Sequence, residues 1–224
     1  MKVVIFGATG MIGHGTLLEC LADDDVTEVV TVVRRPMGID DAKLREVVHA
    51  DMLELEPIAD RLAGLDACLY CLGISSSGLD EAAYRQVTVD MPLAATRTLK
   101  RVSPDLAFVY VSGQGTDSTG KSRLMWARVK GDAENQLLAA WPHAYMFRPG
   151  FIQPAPGVTS ATGWIRAAYR VTSPLVPLLR KAPALFTTSE RLGQAMVAAA
   201  RERGPSRVLE SRDINALADR AAAR

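Results

Sequence analysis

Residues 2–13 read KVVIFGATGMIG, and the order of those twelve letters decides the fold. An apolar, partly β-branched run of five residues has the pattern of a fully buried strand, and it passes into a G-x-x-G-x-x-G turn that opens a helical segment at Met11. The three glycines have separate tasks. Gly7 permits the sharp exit from the strand, Gly10 lets the backbone approach a diphosphate, and Gly13 allows the helix to pack closely on the strand. An anion settled at the helix start meets free N–H groups and the positive end of the helix dipole. Gly7, Thr9, Gly10, Met11, Ile12 and Gly13 therefore form a candidate cradle for the phosphates of a dinucleotide.

Outward from this turn, short apolar runs alternate with longer amphipathic ones. The pattern predicts strands at Lys2–Phe6, Glu28–Val33, Leu44–His49, Ala67–Leu72, Leu106–Val111 and Tyr145–Arg148, with a weaker one at Arg207–Leu209. Helices are expected at Met11–Leu21, Pro57–Ala63, Leu79–Arg101 and Ser122–Ala140, the last stopped by Trp141 and Pro142. Two more follow, at Ser189–Ala200, capped by Thr188 or Ser189 and ended near Gly204, and at Asp213–Ala223. Such alternation specifies an α/β class, a doubly wound parallel sheet covered on both faces. Residues 1–224 read as one domain. Within it, residues 151–187 lose the alternation under repeated prolines and read as a small C-terminal cap on the substrate side, its apolar stretches WIRAAYRV and SPLVPLLRKAPALF serving either a cleft or core packing.

Composition narrows the chemistry. With 48% hydrophobic and 23% charged residues, the chain is of ordinary globular make-up. Twenty-six basic against 25 acidic residues leave a formal charge of +1, so no long-range field favours nucleic acid or an acidic membrane. No apolar run reaches the roughly 18 residues that span a bilayer, and no signal peptide is evident, so a cytoplasmic location is expected. Three cysteines are too few for a disulfide framework. Cys68 and Cys71 form a C-x-x-C, but along a strand they would stand about 10 Å apart on opposite faces, beyond the roughly 7 Å that a bridge allows. His14, His49 and His143 are scattered, and no metal site is expected.

About 20 residues past the glycines, an NAD site usually places a carboxylate against the ribose 2′-hydroxyl. Here stand Arg34 and Arg35. Guanidiniums instead grip a 2′-phosphate through charge-assisted bonds, which points to NADP, with NAD the less favoured cofactor. Asp51 and Met52, after the third strand, either meet the adenine or, for Asp51, cap a helix. Cys71, Leu72 and Gly73 close the fourth strand where a nucleotide would pass near the backbone.

Taken in order, GATGMIG, VVRRP, HADML, CLG, VYVSG with Ser112, WARVKGDAE with Lys130, and FRPGFIQP with Arg148 resemble the short-chain dehydrogenase/reductase superfamily. The likeness spans nearly the whole chain. It is strongest to small atypical NAD(P)H-binding members related to the epimerase/dehydratase group and to the human Tat-interacting protein group. The resemblance implies a Rossmann fold, NADP(H), and a Ser-Tyr-x-x-x-Lys catalytic set. Ser112 takes the serine role of holding a substrate oxygen. Lys130 takes the lysine role, holding the nicotinamide ribose and lowering the pKa of a neighbouring phenol. That phenol is absent: position 126 is tryptophan, whose indole donates a hydrogen bond but exchanges no proton near neutrality.

No other residue replaces it plainly. Tyr110 reads as core, Tyr84 as core or interface, and His143 as a surface loop residue at the far end of the sheet. Gln114, Thr116, Asp117 and Ser118 follow Ser112, where substrate contacts arise. Two functions are expected from the pattern. One is an NADP-dependent oxidoreductase for a small carbonyl or alcohol. The other is a nucleotide-sensing module that acts through a regulatory protein partner. An apolar stripe on the expected helix Leu79–Arg101, from Ala82 to Ala95, suits either a homodimer or a monomer.

Overall fold

The computed structural model describes residues 1–154 and 184–223, so most of the expected cap lies outside the described residues. Seven parallel strands form one sheet: β1 (Lys2–Phe6), β2 (Glu28–Val33), β3 (Leu44–Val48), β4 (Ala67–Tyr70), β5 (Ala107–Val111), β6 (Ala144–Arg148) and β9 (Val208–Glu210). Their spatial order is β3-β2-β1-β4-β5-β6-β9. It reverses between β1 and β4, which is the topological switch point of a Rossmann fold. Both faces of the sheet are covered, and the parity of β1 shows how. Val3 and Ile5 join a core that includes Leu17 and Cys20 of α1 (Met11–Ala22), Leu192 and Met196 of α5 (Ser189–Glu202), and Leu217 of α6 (Ser211–Ala222). Val4 and Phe6 face the opposite core, with Leu62 of a 3₁₀ turn (Glu56–Leu62), Leu99 of α3 (Met91–Val102), and Val129 and Leu137 of α4 (Met125–Ala140).

The third of the expected helices is not continuous. The run predicted as one helix over Leu79–Arg101 is α2 (Glu81–Arg85), a π turn (Gln86–Asp90), then α3. Pro92 explains the break, because it has no N–H to give the carbonyl four residues back and its ring crowds that group. That carbonyl belongs to Thr88, and it accepts instead from the buried Tyr110 hydroxyl at 3.1 Å. The widened turn is closed by the Met91 N–H reaching back to the Gln86 carbonyl.

Other boundaries shift for local reasons. α4 starts at Met125 and not Ser122, because the Ser122 hydroxyl accepts from the Leu124 N–H at 3.1 Å and holds that segment as a turn. α6 starts at Ser211, two residues before the expected Asp213, because Glu210 and Asp213 form a reciprocal capping box around its first turn. Sequence reading missed a second, two-stranded parallel sheet of β7 (Phe151–Gln153) and β8 (Phe186–Thr188), which lies at the two ends of the expected cap. Cys68 and Cys71 sit in opposite cores, as their spacing requires. Among the described residues, no helix is long and apolar enough to cross a membrane.

Candidate functional site

At the switch point the chain leaves β1 through Gly7, whose φ of +83° lies where a side chain is strained. A Cβ there would meet the Leu72 backbone nitrogen at 2.6 Å. One helical turn on, a Cβ at Gly13 would lie 2.1 Å from the Gly7 carbonyl oxygen. Both glycines therefore bring α1 and the end of β4 against the exit of β1. Gly10 caps α1 with no side chain, and no acidic residue occupies the first turn. The helix start keeps its orphan N–H groups and its positive dipole end.

In front of it opens a cleft of about 290 Å³. Gly7, Thr9 and Gly10 form its floor, Cys71 to Ile74 one wall, and Val32, Val33, Ala50 and Met52 the other, while Val87 of the π turn and Met91 close it. Arg34 stands on its rim, and a contiguous recess is bounded by Thr9, Arg34, Arg35 and Pro36. Both arginines are exposed. Of the expected cofactor residues, Met11 and Ile12 pack against the core on the α1 side and do not line the cleft. Asp51 also stands outside it. Its carboxylate accepts from the Leu53 N–H at 2.9 Å, closing a local turn and not capping a helix, since the next helical turn starts at Glu56 with Leu55 as its cap. The Cys71 thiol lies 3.7 Å from the Thr16 hydroxyl, and burial pushes it up to about 12, which disfavours the thiolate.

A second corner forms where β5 ends. The Lys130 ammonium donates to the Ser112 carbonyl at 3.0 Å and lies 6.0 Å from the centroid of the Tyr110 ring. The Ser112 hydroxyl pairs with that of Thr116 at 3.0 Å, and Thr116 in turn donates to the Gly113 carbonyl at 2.7 Å. Thr116 has one proton to give, so Ser112 is the donor in the pair and its lone pairs stay open. Ser112 and Lys130 are thus brought together, on elements beyond the walls of the nucleotide-sized cleft. Trp126, one turn before Lys130, is half-buried, and its ring edge would lie 3.2 Å from a Cβ at Gly115. It packs on the loop that follows Ser112.

Burial lowers the Lys130 ammonium to about 8 against the opposing pull of Glu134. Glu134 is fully buried and pairs with Arg148, whose Nε donates to both carboxylate oxygens at 3.0 and 3.1 Å. Arg148 also reaches Glu210 at 3.2 Å and Ser118 at 2.7 Å. Sequence reading missed this group, although Trp126, Lys130 and Glu134 fall at successive i, i+4 positions of one helix face.

The loop after Ser112 is fastened to α4 along its length. The Asp117 N–H donates to the Ala127 carbonyl at 3.0 Å, Asn135 donates to the Ser118 carbonyl at 2.9 Å, and Arg128 to the Ser122 carbonyl at 2.9 Å. At Gly131 a Cβ would come within 1.9 Å of the Asp117 carbonyl. Hydrogen bonds from the Thr119 side chain and from the Ser122 and Thr119 backbone hold the Asp117 carboxyl down at about 2. Of the polar loop residues, Thr116 alone meets Ser112, Gln114 donates to the Ala184 carbonyl at 3.3 Å, and Asp117 and Ser118 have structural partners.

No protein-family model matches the chain. Solved structures do resemble it. An oxidoreductase of the short-chain dehydrogenase/reductase family from Burkholderia thailandensis is 17% identical, with a TM-score of 0.68 over 92% of this chain and 88% of that one. MoeE5 in complex with UDP-glucose and NAD is 17% identical, with a TM-score of 0.66 over 100% and 82% of the two chains. The Bordetella bronchiseptica enzyme WbmF in complex with NAD+ is 14% identical, with a TM-score of 0.65 over 98% and 77%. At these identities the likeness is one of fold.

Proposed function

We propose that the protein is an NADP(H)-dependent oxidoreductase of the short-chain dehydrogenase/reductase type, moving a hydride between NADP(H) and a small carbonyl or alcohol in the cytoplasm. The observation that carries this reading is the uncapped start of α1, approached through Gly7 and Gly13, at the switch point of a parallel sheet whose β5 is followed directly by Ser112 beside Lys130. A diphosphate fits such a cradle, because side chains at Gly7 or Gly13 would fill space already taken by backbone. The apolar walls at Val32, Ala50 and Met52 suit a flat purine, and Arg34 and Arg35 bound the recess that a 2′-phosphate would enter. The bound nicotinamide supplies the hydride. Ser112 holds the substrate oxygen once its proton turns away from Thr116, and Lys130 holds the ribose. The neighbours named above, two of them NAD complexes, support a nicotinamide cofactor of some kind.

A second reading, a sensor of NADP(H) that acts through a protein partner, is favoured by Trp126, which stands where the resemblance implies a phenol. Nicotinamide fluorescence separates the claims. NADPH should bind more tightly than NADH, and Arg34→Ala should weaken NADPH by roughly tenfold or more, the worth of one charge-assisted bond, while leaving NADH nearly unchanged. Equal losses for the two nucleotides would refute the 2′-phosphate contact. A panel of aldehydes, ketones and quinones then tests the chemistry: turnover supports the oxidoreductase, and tight binding with no turnover supports the sensor.

A further inference from the structure

We infer that Lys130, through its Nζ, is the group that hands the proton to the substrate oxygen, a catalytic role that rests on the oxidoreductase reading above. Among the described residues, the geometry leaves the task to it. Nζ is bonded to the backbone carbonyl of Ser112, the residue whose hydroxyl would hold that oxygen, so the ammonium stands at the residue that would hold the substrate. The other groups tied to this corner are committed elsewhere. Tyr110 lies beneath Lys130, but its hydroxyl points away and donates to Thr88 in the core. Glu134 is held by two nitrogens of Arg148. Asp117 is saturated by Thr119 and Ser122. Thr116 is a hydroxyl with no accessible titration, and the indole of Trp126 releases no proton.

In the reducing direction the carbonyl carbon takes a hydride from the reduced nicotinamide, the electron pair of the C=O bond passes to oxygen, and that oxygen takes a proton from the Lys130 ammonium. The neutral amine is then recharged from solvent. Burial brings the ammonium to about 8, near the operating pH at which a general acid works best. The charges around it are few. Glu134, one turn on along α4, favours the ammonium, and Arg148 of β6 acts on it through Glu134. From α2, packed against α4, Glu81 and Arg85 are engaged with Arg128 and Asp132.

The first test needs no cofactor: competitive acetylation with acetic anhydride, read peptide by peptide in a mass spectrometer across pH. Lys130 should label with a midpoint near 8, well below the roughly 10.4 of a lysine in a free reference peptide labelled in the same tube. A midpoint equal to that of the free peptide, or a Lys130 that labels only after denaturation, would overturn the inference. The second test is aldehyde reduction by the NADPH-loaded protein. Its kcat should be level at low pH and fall as pH rises through about 8, where the amine loses its proton.

Lys130→Arg keeps the charge for the ribose but cannot release a proton, so kcat should drop roughly 10²- to 10³-fold while NADPH affinity stays within about threefold. Adding Trp126→Tyr to that variant should restore turnover through the phenol. Turnover with a flat pH profile, or with an undiminished kcat in Lys130→Arg, overturns the proton role alone. Absence of turnover in the wild-type protein with NADPH bound overturns the oxidoreductase reading, and this inference with it. The labelling and the wild-type profile decide the matter even where a variant fails to fold.

Discussion

Replacing Glu134 by Gln probes the electrostatics beneath the site. Glu134 is wholly buried, and the Arg148 side chain that it holds is 16% exposed, so water screens the pair little. Removing one member of a buried ion pair costs about 3–5 kcal/mol, because the other charge is left in a poor medium. Glu134→Gln falls at the lower end of that range. Arg148 keeps Glu210 and Ser118, and the new amide still offers one oxygen. We expect a loss of about 3 kcal/mol, which in a chain of this length lowers Tm by roughly 6–12 °C. Urea titration gives the first number and a circular-dichroism melt the second. The partner change should repair much of the damage: Glu134→Leu with Arg148→Met exchanges an ion pair for apolar packing, which is often close to neutral. The single variant should also drive the Lys130 ammonium below about 8, because Glu134 is the charge that supports it. A Tm within about 2 °C of the wild type would refute the argument, since it would mean that the carboxylate carries no burden there.

Gly13→Ala places a methyl group 2.1 Å from the Gly7 oxygen and 2.6 Å from its carbonyl carbon, both backbone atoms, so α1 must shift. We expect a loss of about 1–3 kcal/mol together with a collapse of nucleotide affinity, and unchanged melting and binding would contradict the close approach. At the start of α5 the Thr188 hydroxyl accepts from the Arg191 N–H at 3.2 Å. Thr188→Ala should therefore cost about 1 kcal/mol and lower Tm by roughly 2–4 °C, while Thr188→Ser should recover it.

The sheet was legible because its signal is redundant. Strands buried on both faces need unbroken β-branched runs, and β1 and β2 begin and end at the residues where those runs do. Less visible were features in which one residue acts at a distance. Pro92 was readable as a helix breaker, but the π turn also depends on Tyr110 of another strand taking the freed carbonyl. β7 and β8 have three residues each, too short for a period of two to show, and they pair across a long stretch of chain. In the site, the glycines could be read because close backbone approach admits no other residue. Asp51 was read between an adenine contact and a helix cap, while its carboxylate closes its own turn, a third use of the same short side chain. Glu134 escaped notice because an acidic residue on an amphipathic helix ordinarily faces water, and only the fold brings Arg148 to meet it.

The seam between α4 and the loop after Ser112 has a mechanical consequence. Ser112 is the root of that loop and Lys130 rides on the helix, and the two are joined by backbone contacts too close for anything but glycine at position 131. They behave as the jaws of a fixed caliper. The frame of that caliper is the sheet itself, because the Ser112 N–H donates to the Phe147 carbonyl of β6 at 2.7 Å. A shift of the helix is therefore resisted at both jaws, by its own seam and by the strand next door.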